Sequence, residues 1–207
     1  MTSILAGLRA KCRYTGWWRT GTYLFFTVLL GRIGFQLNCA YLRQMDSRST
    51  HAMPAGFSAS LARKLDDLGE QDIAVLLTYG GAKLKEQFHS AFAAGKVCIV
   101  LRSVAEELAA VCWAENVDAF APCTSNPCVL VSRCFTLPRF RGLRLYPAAL
   151  KVMDHLLPDE MLRLTQIVIE CSAFNYPSRS GILKAGFRFC GMAMEFGRMR
   201  STWQRNS

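Results

Sequence analysis

The stretch CVLVSRCFTLPRFRGLRLYPAAL, residues 128–150, predicts a β-strand, an arginine-rich turn and the start of an amphipathic helix. Pro138 ends the strand. A helix start carries free backbone N–H groups and the positive end of the helix dipole, and Arg139, Arg141 and Arg144 add donors that suit phosphate oxygens. Two interpretations are therefore open: the turn binds an anion, or the three arginines form a solvated loop.

The rest of the chain sets this stretch in a mixed α/β pattern. Upstream, from residue 60, the sequence predicts a helical or strand-like approach with a turn at Gly80 and Gly81, then a helix that Gly95 ends. The runs VCIVLRS and LAAVCWAEN predict a β-hairpin. Downstream, the helix of the quoted stretch continues to Pro158, and the following segments predict a strand (LTQIVIECSA), a loop with a short helix (FNYPSRSGILKAGF) and closing strands (RFCGMAMEFGRM).

Composition limits the class of protein and of partner. The chain has 207 residues, of which 51% are hydrophobic, enough for a substantial core, and a net charge of +10, which favours anionic partners. The nine cysteines show no CxxC spacing, and the pattern is typical of buried, reduced thiols in a cytosolic protein. Cys123 and Cys128 are the closest pair, but the three histidines are scattered, so we expect no metal site.

Residues 1–45 contain no acidic side chain and combine basic with aromatic residues. The longest apolar run is too short for a membrane-spanning helix, and the segment lacks the cleavage site of a signal peptide. We expect a basic amphipathic helical extension in 1–45, a linker in 46–59 and the folded domain in 60–207. The extension fits two roles: peripheral contact with an anionic membrane surface, or packing on the domain or on a second copy in a homodimer.

Two motifs in the domain resemble the GCN5-related N-acetyltransferase (GNAT) superfamily over about residues 60–200. The family's turn often reads Pro-x-x-Arg-Gly-x-Gly-x-Tyr, and its second signature is Asn-x-x-Ser followed by Lys-x-Gly-Phe. The first is matched at Pro138, Arg141, Gly142 and Tyr146, and the second at Asn175, Ser178, Lys184, Gly186 and Phe187.

The resemblance implies a mostly antiparallel central sheet flanked by helices, and an acyl-CoA-dependent N-acyltransferase, with acetyl-CoA as co-substrate, no metal and an amine acceptor. It also implies that the pantetheine arm pairs with the strand before the turn and that the diphosphate rests on the turn. A protein with this function is expected in the cytoplasm or at the inner face of the membrane, and the turn with its basic preamble is similar to bacterial members that act on surface amines. The implied cofactor-binding residues are Phe135, Thr136, Leu137, Arg139, Arg141, Gly142, Leu143, Arg144, Leu145, Tyr146, Asn175, Ser178 and Lys184.

The sequence departs from the family pattern at two positions. Arg144 replaces a glycine of the turn, and Ile182 replaces a tyrosine that in many members protonates the leaving thiolate. The candidates that stand in for this tyrosine are Tyr146, Tyr176, Ser178 and water. These departures favour an alternative function, a non-catalytic acyl-CoA-binding or regulatory module.

The candidates for the catalytic base are Glu115 at the end of the hairpin and Glu170 on the strand before Asn175. Each is equally well read as an ordinary surface or edge-strand carboxylate. The basic residues form no recognisable nucleic-acid-reading motif, so we expect no specific nucleic-acid partner.

Overall fold

The computed structural model describes residues 21–22, 32, 34–46, 53–81, 83–197 and 199–204. Between residues 84 and 196, its longer strands and helices follow the order that the sequence predicts. Among these residues, no helix is long and apolar enough to cross a membrane. The strands are β1 Phe35–Gln44, β2 Phe57–Ala62, β3 Val97–Ser103, β4 Leu108–Val117, β5 Cys128–Thr136, β6 Gln166–Ser172, β7 Arg188–Phe196 and β8 Met199–Gln204, and the helices are α1 Glu70–Gly80, α2 Leu84–Ala93, α3 Leu145–Leu156, α4 Asp159–Leu162 and α5 Tyr176–Lys184.

The eight strands form one sheet in the order β2-β3-β4-β5-β6-β1-β7-β8. All neighbours are antiparallel except β5 and β6. The exception follows from the connection, because a parallel pair needs a crossover and α3 supplies it. The mixed, mostly antiparallel sheet flanked by helices confirms the predicted fold class.

The prediction of a helical extension is wrong for Phe35–Gln44. These residues form β1, which lies between β6 and β7 and pairs with both. The apolar residues of FQLNCAYLRQ alternate, with Phe35, Leu37, Cys39 and Tyr41 on one face, and this period of two is a strand signal. The prediction relied on the aromatic content of the segment instead. Within 1–34, only residues 21–22, 32 and 34 lie in the described part of the chain.

The predicted linker 46–59 also ends too late, since β2 begins at Phe57. The folded unit therefore includes residues on both sides of this segment. The two roles expected of the N-terminal extension concern residues that lie mostly outside the described part of the chain.

Helices cover the sheet on both faces. On one face α1 and α2 pack on the β2–β5 half, where Phe88 and Phe92 approach Trp113 with ring centroids 4.9 and 4.8 Å apart. On the other face, α3 and α5 cover a larger core that includes Leu150 and Ile169, both essentially inaccessible to solvent. The site described below lies where α3 and α5 begin.

A buried ion pair joins β1 to α3. The guanidinium of Arg43 donates to both carboxylate oxygens of Asp154, at 2.6 and 2.9 Å, and to the carbonyl of Leu150 at 2.9 Å. The guanidinium also lies over the ring of Phe187, 5.1 Å from its centroid. Because losing one partner of a buried pair strands the other charge, at a cost of about 3–5 kcal/mol, this contact makes β1 an integral part of the domain.

Candidate functional site

The parallel strands β5 and β6 separate after a short ladder. They pair only at Val129–Ile167, Leu130–Val168 and Val131–Ile169, although β5 continues to Thr136 and β6 to Ser172. Beyond these pairs, each strand presents to the other a backbone edge with no ladder partner within the described chain. Such an edge can hydrogen-bond to an extended ligand, as a peptide does when it adds a strand to a sheet.

A bulge on β5 marks the point where the strands separate. Arg133 has a positive φ of 46°, and the register with β4 shifts between Val111 and Trp113, so that one residue of β4 opposes two of β5. The bulge bends β5 away from β6 while keeping its pairing with β4, where Phe135 opposes Val111 and Thr136 opposes Ala110.

The turn after β5 leaves a run of backbone N–H groups without acceptors. Gly142 and Arg144 both adopt positive φ, 87° and 59°, and α3 begins at Leu145 with no side chain capping it. The N–H groups of residues 142–146 donate to no acceptor among the residues that the structure describes. Residues 141–144 are exposed, Leu143 to 47%, whereas Leu145 is buried. Successive free N–H groups at a helix start form a concave anion-binding site.

The arginines of the turn are held differently from one another. Arg141 donates through Nε to the carbonyl of Thr136 at 3.2 Å and lies over the Phe135 ring, 5.9 Å from its centroid. Arg139 forms an ion pair with Glu107 at 3.1 Å, which turns it towards the β3–β4 hairpin. Arg144 adopts a left-handed backbone, which costs about 1 kcal/mol for a residue other than glycine.

The residues at the end of β5, just before the turn, are anchored to β4 and α1. Leu137 is buried and donates its N–H to the carbonyl of Ala109 at 2.9 Å. The Phe135 ring packs on Tyr79 of α1 with centroids 5.5 Å apart. The predicted pantetheine-binding residues therefore have one backbone edge occupied by β4 and one edge facing the gap between β5 and β6.

Tyr146 bridges the starts of α3 and α5 across this gap. Its hydroxyl lies 3.2 Å from Ser178 Oγ, and its ring lies where a Cβ on Gly181 would come within 2.5 Å of Cδ1. Burial, followed by the nearby Cys134 thiol, raises the pKa of Tyr146. Tyr146 therefore keeps its phenolic proton at physiological pH and shares a hydrogen bond with Ser178.

Asn175 caps α5. Its Oδ1 accepts from the backbone N–H of Ser178 at 3.4 Å, so the side-chain oxygen is occupied within the protein. Ile182 is fully buried in the core between the helices. The position that is expected to hold a tyrosine is thus a packing position here, and the hydroxyls of Tyr146 and Ser178 lie together between the starts of α3 and α5.

The two candidate glutamates lie on the sheet face opposite α3, and each has a basic partner. Glu115 pairs with Lys96 at 2.7 Å, and Glu170 accepts from Asn38 at 2.6 Å and from Arg200 at 2.5 Å. Glu170 directly follows the last parallel pair, so it stands at the gap. Glu115 opposes Leu130, four residues along β4 from the Val111 position, which is about 14 Å for an antiparallel strand.

Lys184 is not brought to the turn. It is exposed at the last residue of α5, nine positions after Asn175, which corresponds to about 13–14 Å along a helix. The neighbouring Gly186 ends the helix at φ 88°, and Phe187 enters the core. In this chain, the Lys-x-Gly-Phe part of the motif ends α5 and packs the helix against the core.

Two adjoining clefts between α2 and β5 were not predicted. Their volumes are about 310 and 260 Å³, and both contain Gln87, Trp113 and Arg133. Lys96 and Ser132 line the larger cleft, so it lies beside Glu115. No sequence motif marks these residues, because four separate elements contribute them; only the alternation of Trp113 and Glu115 along β4 could have suggested a shared face.

Comparison with known proteins finds similarity in structure and none in sequence. The sequence matches no family model and no curated protein. A GNAT-family acetyltransferase from Colwellia psychrerythraea aligns with a TM-score of 0.53 and 14% identity over 78% of this chain and 57% of that one. The aminoglycoside antibiotic 6′-N-acetyltransferase of Acinetobacter baumannii aligns with a TM-score of 0.53 and 12% identity over 73% and 99%. The chain has the GNAT fold.

A further GNAT-family protein, a putative acetyltransferase from Novosphingobium aromaticivorans, has a TM-score of 0.52 and 18% identity over 78% of this chain and 63% of its own. The chain thus spans about three fifths of the length of two of these three neighbours. The predicted GNAT resemblance is confirmed at the level of the fold.

Proposed function

We propose that this protein is an acyl-CoA-dependent N-acyltransferase, with acetyl-CoA as the donor and an amine as the acceptor. The observation that carries the proposal is the run of free N–H groups at residues 142–146, placed where β5 and β6 separate. This site combines an anion-binding turn with an adjacent strand edge, and acyl-CoA combines a diphosphate with an extended, amide-containing arm.

The diphosphate would bind the N–H groups of the turn, with Arg141 supplying charge from a position fixed by Thr136. The pantetheine amides would pair with the free edge of β5 up to Thr136. The thioester would then lie in the gap near Tyr146 and Glu170, and the acceptor would enter from the face that carries the clefts.

The chemistry needs few groups. The amine nitrogen attacks the thioester carbonyl, the amide forms, and the C–S bond breaks to release a thiolate that takes a proton. Tyr146, whose hydroxyl lies between the starts of α3 and α5, is the proposed donor of that proton. The carboxylate of Glu170 is the better-placed base of the two candidates, acting directly or through water, and most of the acceleration would come from holding amine and thioester together.

The second candidate function, a non-catalytic acyl-CoA-binding module, is favoured by two specific observations. Ile182 is buried where many relatives have a tyrosine, and both glutamates already hold basic or amide partners. This function keeps the cofactor site and omits turnover.

Calorimetric titration with acetyl-CoA tests the shared part of both functions. We expect binding to the wild-type protein, and Arg141→Glu should weaken it at least about tenfold, equivalent to 1.4 kcal/mol. Arg163→Glu is the matched control, since Arg163 is exposed beyond α3 and the change in net charge is the same. Absence of binding to the wild type, or equal losses in both variants, would overturn the proposed site.

Release of free CoA thiol in the presence of an amine panel separates the two functions. The enzyme should release thiol with at least one amine, and Tyr146→Phe should lower that rate more than it lowers acetyl-CoA affinity. Binding of acetyl-CoA without thiol release from any amine would favour the module.

Membrane contact through residues 1–45, homodimerisation and a cytoplasmic location remain proposals about partners and place. The first two rest on the basic, aromatic-rich sequence of that segment, most of which lies outside the described residues, and the third rests on the cysteine pattern.

A further inference from the structure

The loop that joins β4 to β5 is docked against the C-terminal strands. Gln204 of β8 donates through Nε2 to the Pro122 carbonyl at 3.0 Å. A Cβ on Gly191 of β7 would come within 2.8 Å of the Pro122 ring, so the glycine permits this close approach. Phe120 and Thr124 form an isolated β-bridge that shapes the loop. The loop is therefore held at a defined position over β7.

Two thiols meet in this contact. Cys123 of the loop and Cys190 of β7 pack against the same small apolar cluster. Pro122, the residue before Cys123, lies against Gly191, the residue after Cys190, so the docked loop brings the two cysteines together. The Cys190 thiol also donates to the Arg188 carbonyl at 3.6 Å. Both cysteines are only partly buried, so a small reagent can reach them.

The other close thiol pairs of the described chain lack this accessibility. Cys112 contacts Cys134 across β4 and β5, but Cys112 is 1% exposed. Cys39 lies opposite Cys171 in the β1–β6 register, but Cys39 is 3% exposed. Access to both sulfurs thus distinguishes the Cys123–Cys190 pair.

The environment also divides the roles of the two thiols. The neighbouring Cys123 thiol, followed by the positive charge of Arg188, lowers the pKa of Cys190 despite its partial burial. The Cys190 thiol and burial raise the pKa of Cys123. Arg188 lies two residues before Cys190 on β7 and its charge favours the thiolate, so Cys190 is the thiol that reacts first.

From this arrangement we propose that Cys123 and Cys190 form an oxidation site, at which low-molecular-weight disulfides such as glutathione disulfide convert the two thiols to an intramolecular disulfide. The Cys190 thiolate attacks one sulfur of glutathione disulfide, forms a mixed disulfide and releases one glutathione thiolate. With Cys190 capped, Cys123 no longer has a thiolate as its neighbour and ionises more easily. Its thiolate then attacks Cys190 Sγ, forms the protein disulfide and releases the second glutathione. Two protein thiols are oxidised and one glutathione disulfide is reduced to two glutathiones.

The disulfide would tie the loop covalently to β7, next to the cluster around Glu170. The ring of Phe120 from this loop lies 5.5 Å from the Arg200 guanidinium, and Arg200 pairs with Glu170. Oxidation would thus fix the loop at one border of the proposed acceptor face. The oxidation site itself rests on the thiol pair and does not depend on the proposed acyltransferase activity.

Thiol mapping of the full wild-type chain tests this inference. The reduced protein is incubated with glutathione disulfide, remaining thiols are blocked with N-ethylmaleimide, and proteolytic fragments are identified by mass spectrometry. We expect a disulfide-linked fragment pair containing Cys123 and Cys190, formed before any other link, together with a rise in Tm. A dominant link between other cysteines would overturn the proposal. So would labelling of both Cys123 and Cys190 by the maleimide after other cysteines have been oxidised.

Variants separate the two roles. Cys123→Ser should stop the reaction at a glutathione adduct on Cys190, whereas Cys190→Ser should form neither the link nor a comparable adduct on Cys123. Cys128→Ser is the matched control, because Cys128 lies in the same cluster but is fully buried, and it should leave the link intact. A faster adduct on Cys123 than on Cys190 would contradict the assigned order. Since the wild-type mapping stands by itself, a variant that fails to fold leaves the test valid.

Discussion

The starts of α3 and α5 face the same gap in the sheet but satisfy their backbone groups in opposite ways. At α3 the N–H groups of residues 142–146 have no acceptor within the described chain, and residues 141–144 are exposed. At α5, Asn175 caps the helix, and Ser178 hydrogen-bonds with Tyr146 in a partly buried contact. One helix start is open to a ligand, and the other is completed by the protein.

This difference assigns separate tasks to the two sequence motifs. The turn before α3 offers donors and charge to an anionic ligand, at the cost of a left-handed Arg144. The motif at α5 fixes the geometry of the gap by packing and capping. Substitutions at α3 should therefore change ligand binding, and substitutions at α5 should change stability.

The largest expected effect is at Gly181, where α5 meets Tyr146. Gly181→Val should destabilise the protein by about 2–3 kcal/mol, because overpacking a closed contact costs more than the gain in helix propensity. Chemical denaturation measures the loss. Gly69→Ser is the control, since a Cβ at Gly69 meets no atom within 4 Å. In a Tyr146→Ala background the cost of Gly181→Val should fall, and an unchanged cost would refute the contact as the cause.

The next effect depends on pH. Burial, which outweighs the hydrogen bond from Arg179, raises the pKa of Tyr41 beneath α5 to about 12. The unfolded chain loses this proton near pH 10 and the folded chain near pH 12. The free energy of unfolding should therefore decrease between these values, by about 1.4 kcal/mol per pH unit from this group.

Urea denaturation at pH 9, 10 and 11 measures this slope. Tyr41→Phe should make it shallower above pH 10, and Tyr79→Phe, at an exposed tyrosine, is the matched control. Equal slopes in all three proteins would exclude Tyr41 as the source.

Loss of the α5 cap should have a smaller effect. Asn175→Ala should destabilise the protein by about 1 kcal/mol, because the Ser178 N–H loses its acceptor. Asn175→Asp retains the acceptor oxygen and should cost less than half as much. Thermal denaturation compares the two, and equal losses would show that the cap does not account for the effect.

The smallest expected effect concerns the open turn. Arg144→Gly and Arg144→Ala both remove the charge, but only glycine relieves the positive φ, so the glycine variant should be more stable by about 0.5–1 kcal/mol. If backbone N–H groups carry most of the binding, acetyl-CoA affinity should fall by a similar small factor in both. A tenfold loss in both variants would instead assign the binding to the arginine side chain.

The longer elements from α2 to β7 could be predicted because their signals are local. Gly95 and Gly186 end their helices with positive φ, as predicted, and Pro138 follows β5. The interpretation of 35–44 failed for a different reason: aromatic content suggested a helix face, while the alternating pattern of FQLNCAYLRQ belongs to a strand with sheet neighbours on both sides.

In the candidate site, too, local features could be predicted from the sequence and contacts between distant segments could not. The arginine turn was predicted because a strand, a proline and a helix start are contiguous in sequence. The partners of Glu115 and Glu170 were not, since Lys96 and Arg200 come from other strands. The positive φ of Arg133 also has no signal in its own sequence neighbourhood.

The sequence by itself determined the order of the longer elements from α2 to β7, the turn that presents free N–H groups, and the GNAT-like spacing of two motifs. These follow from propensities, caps and turn residues that act over a few positions. Only the tertiary structure decided that β1 lies between β6 and β7, that β5 and β6 part after three pairs, and that Tyr146 meets Ser178 across the gap. Strand order, register and contacts between distant segments depend on which surfaces bury each other, and a local pattern does not specify its distant partner.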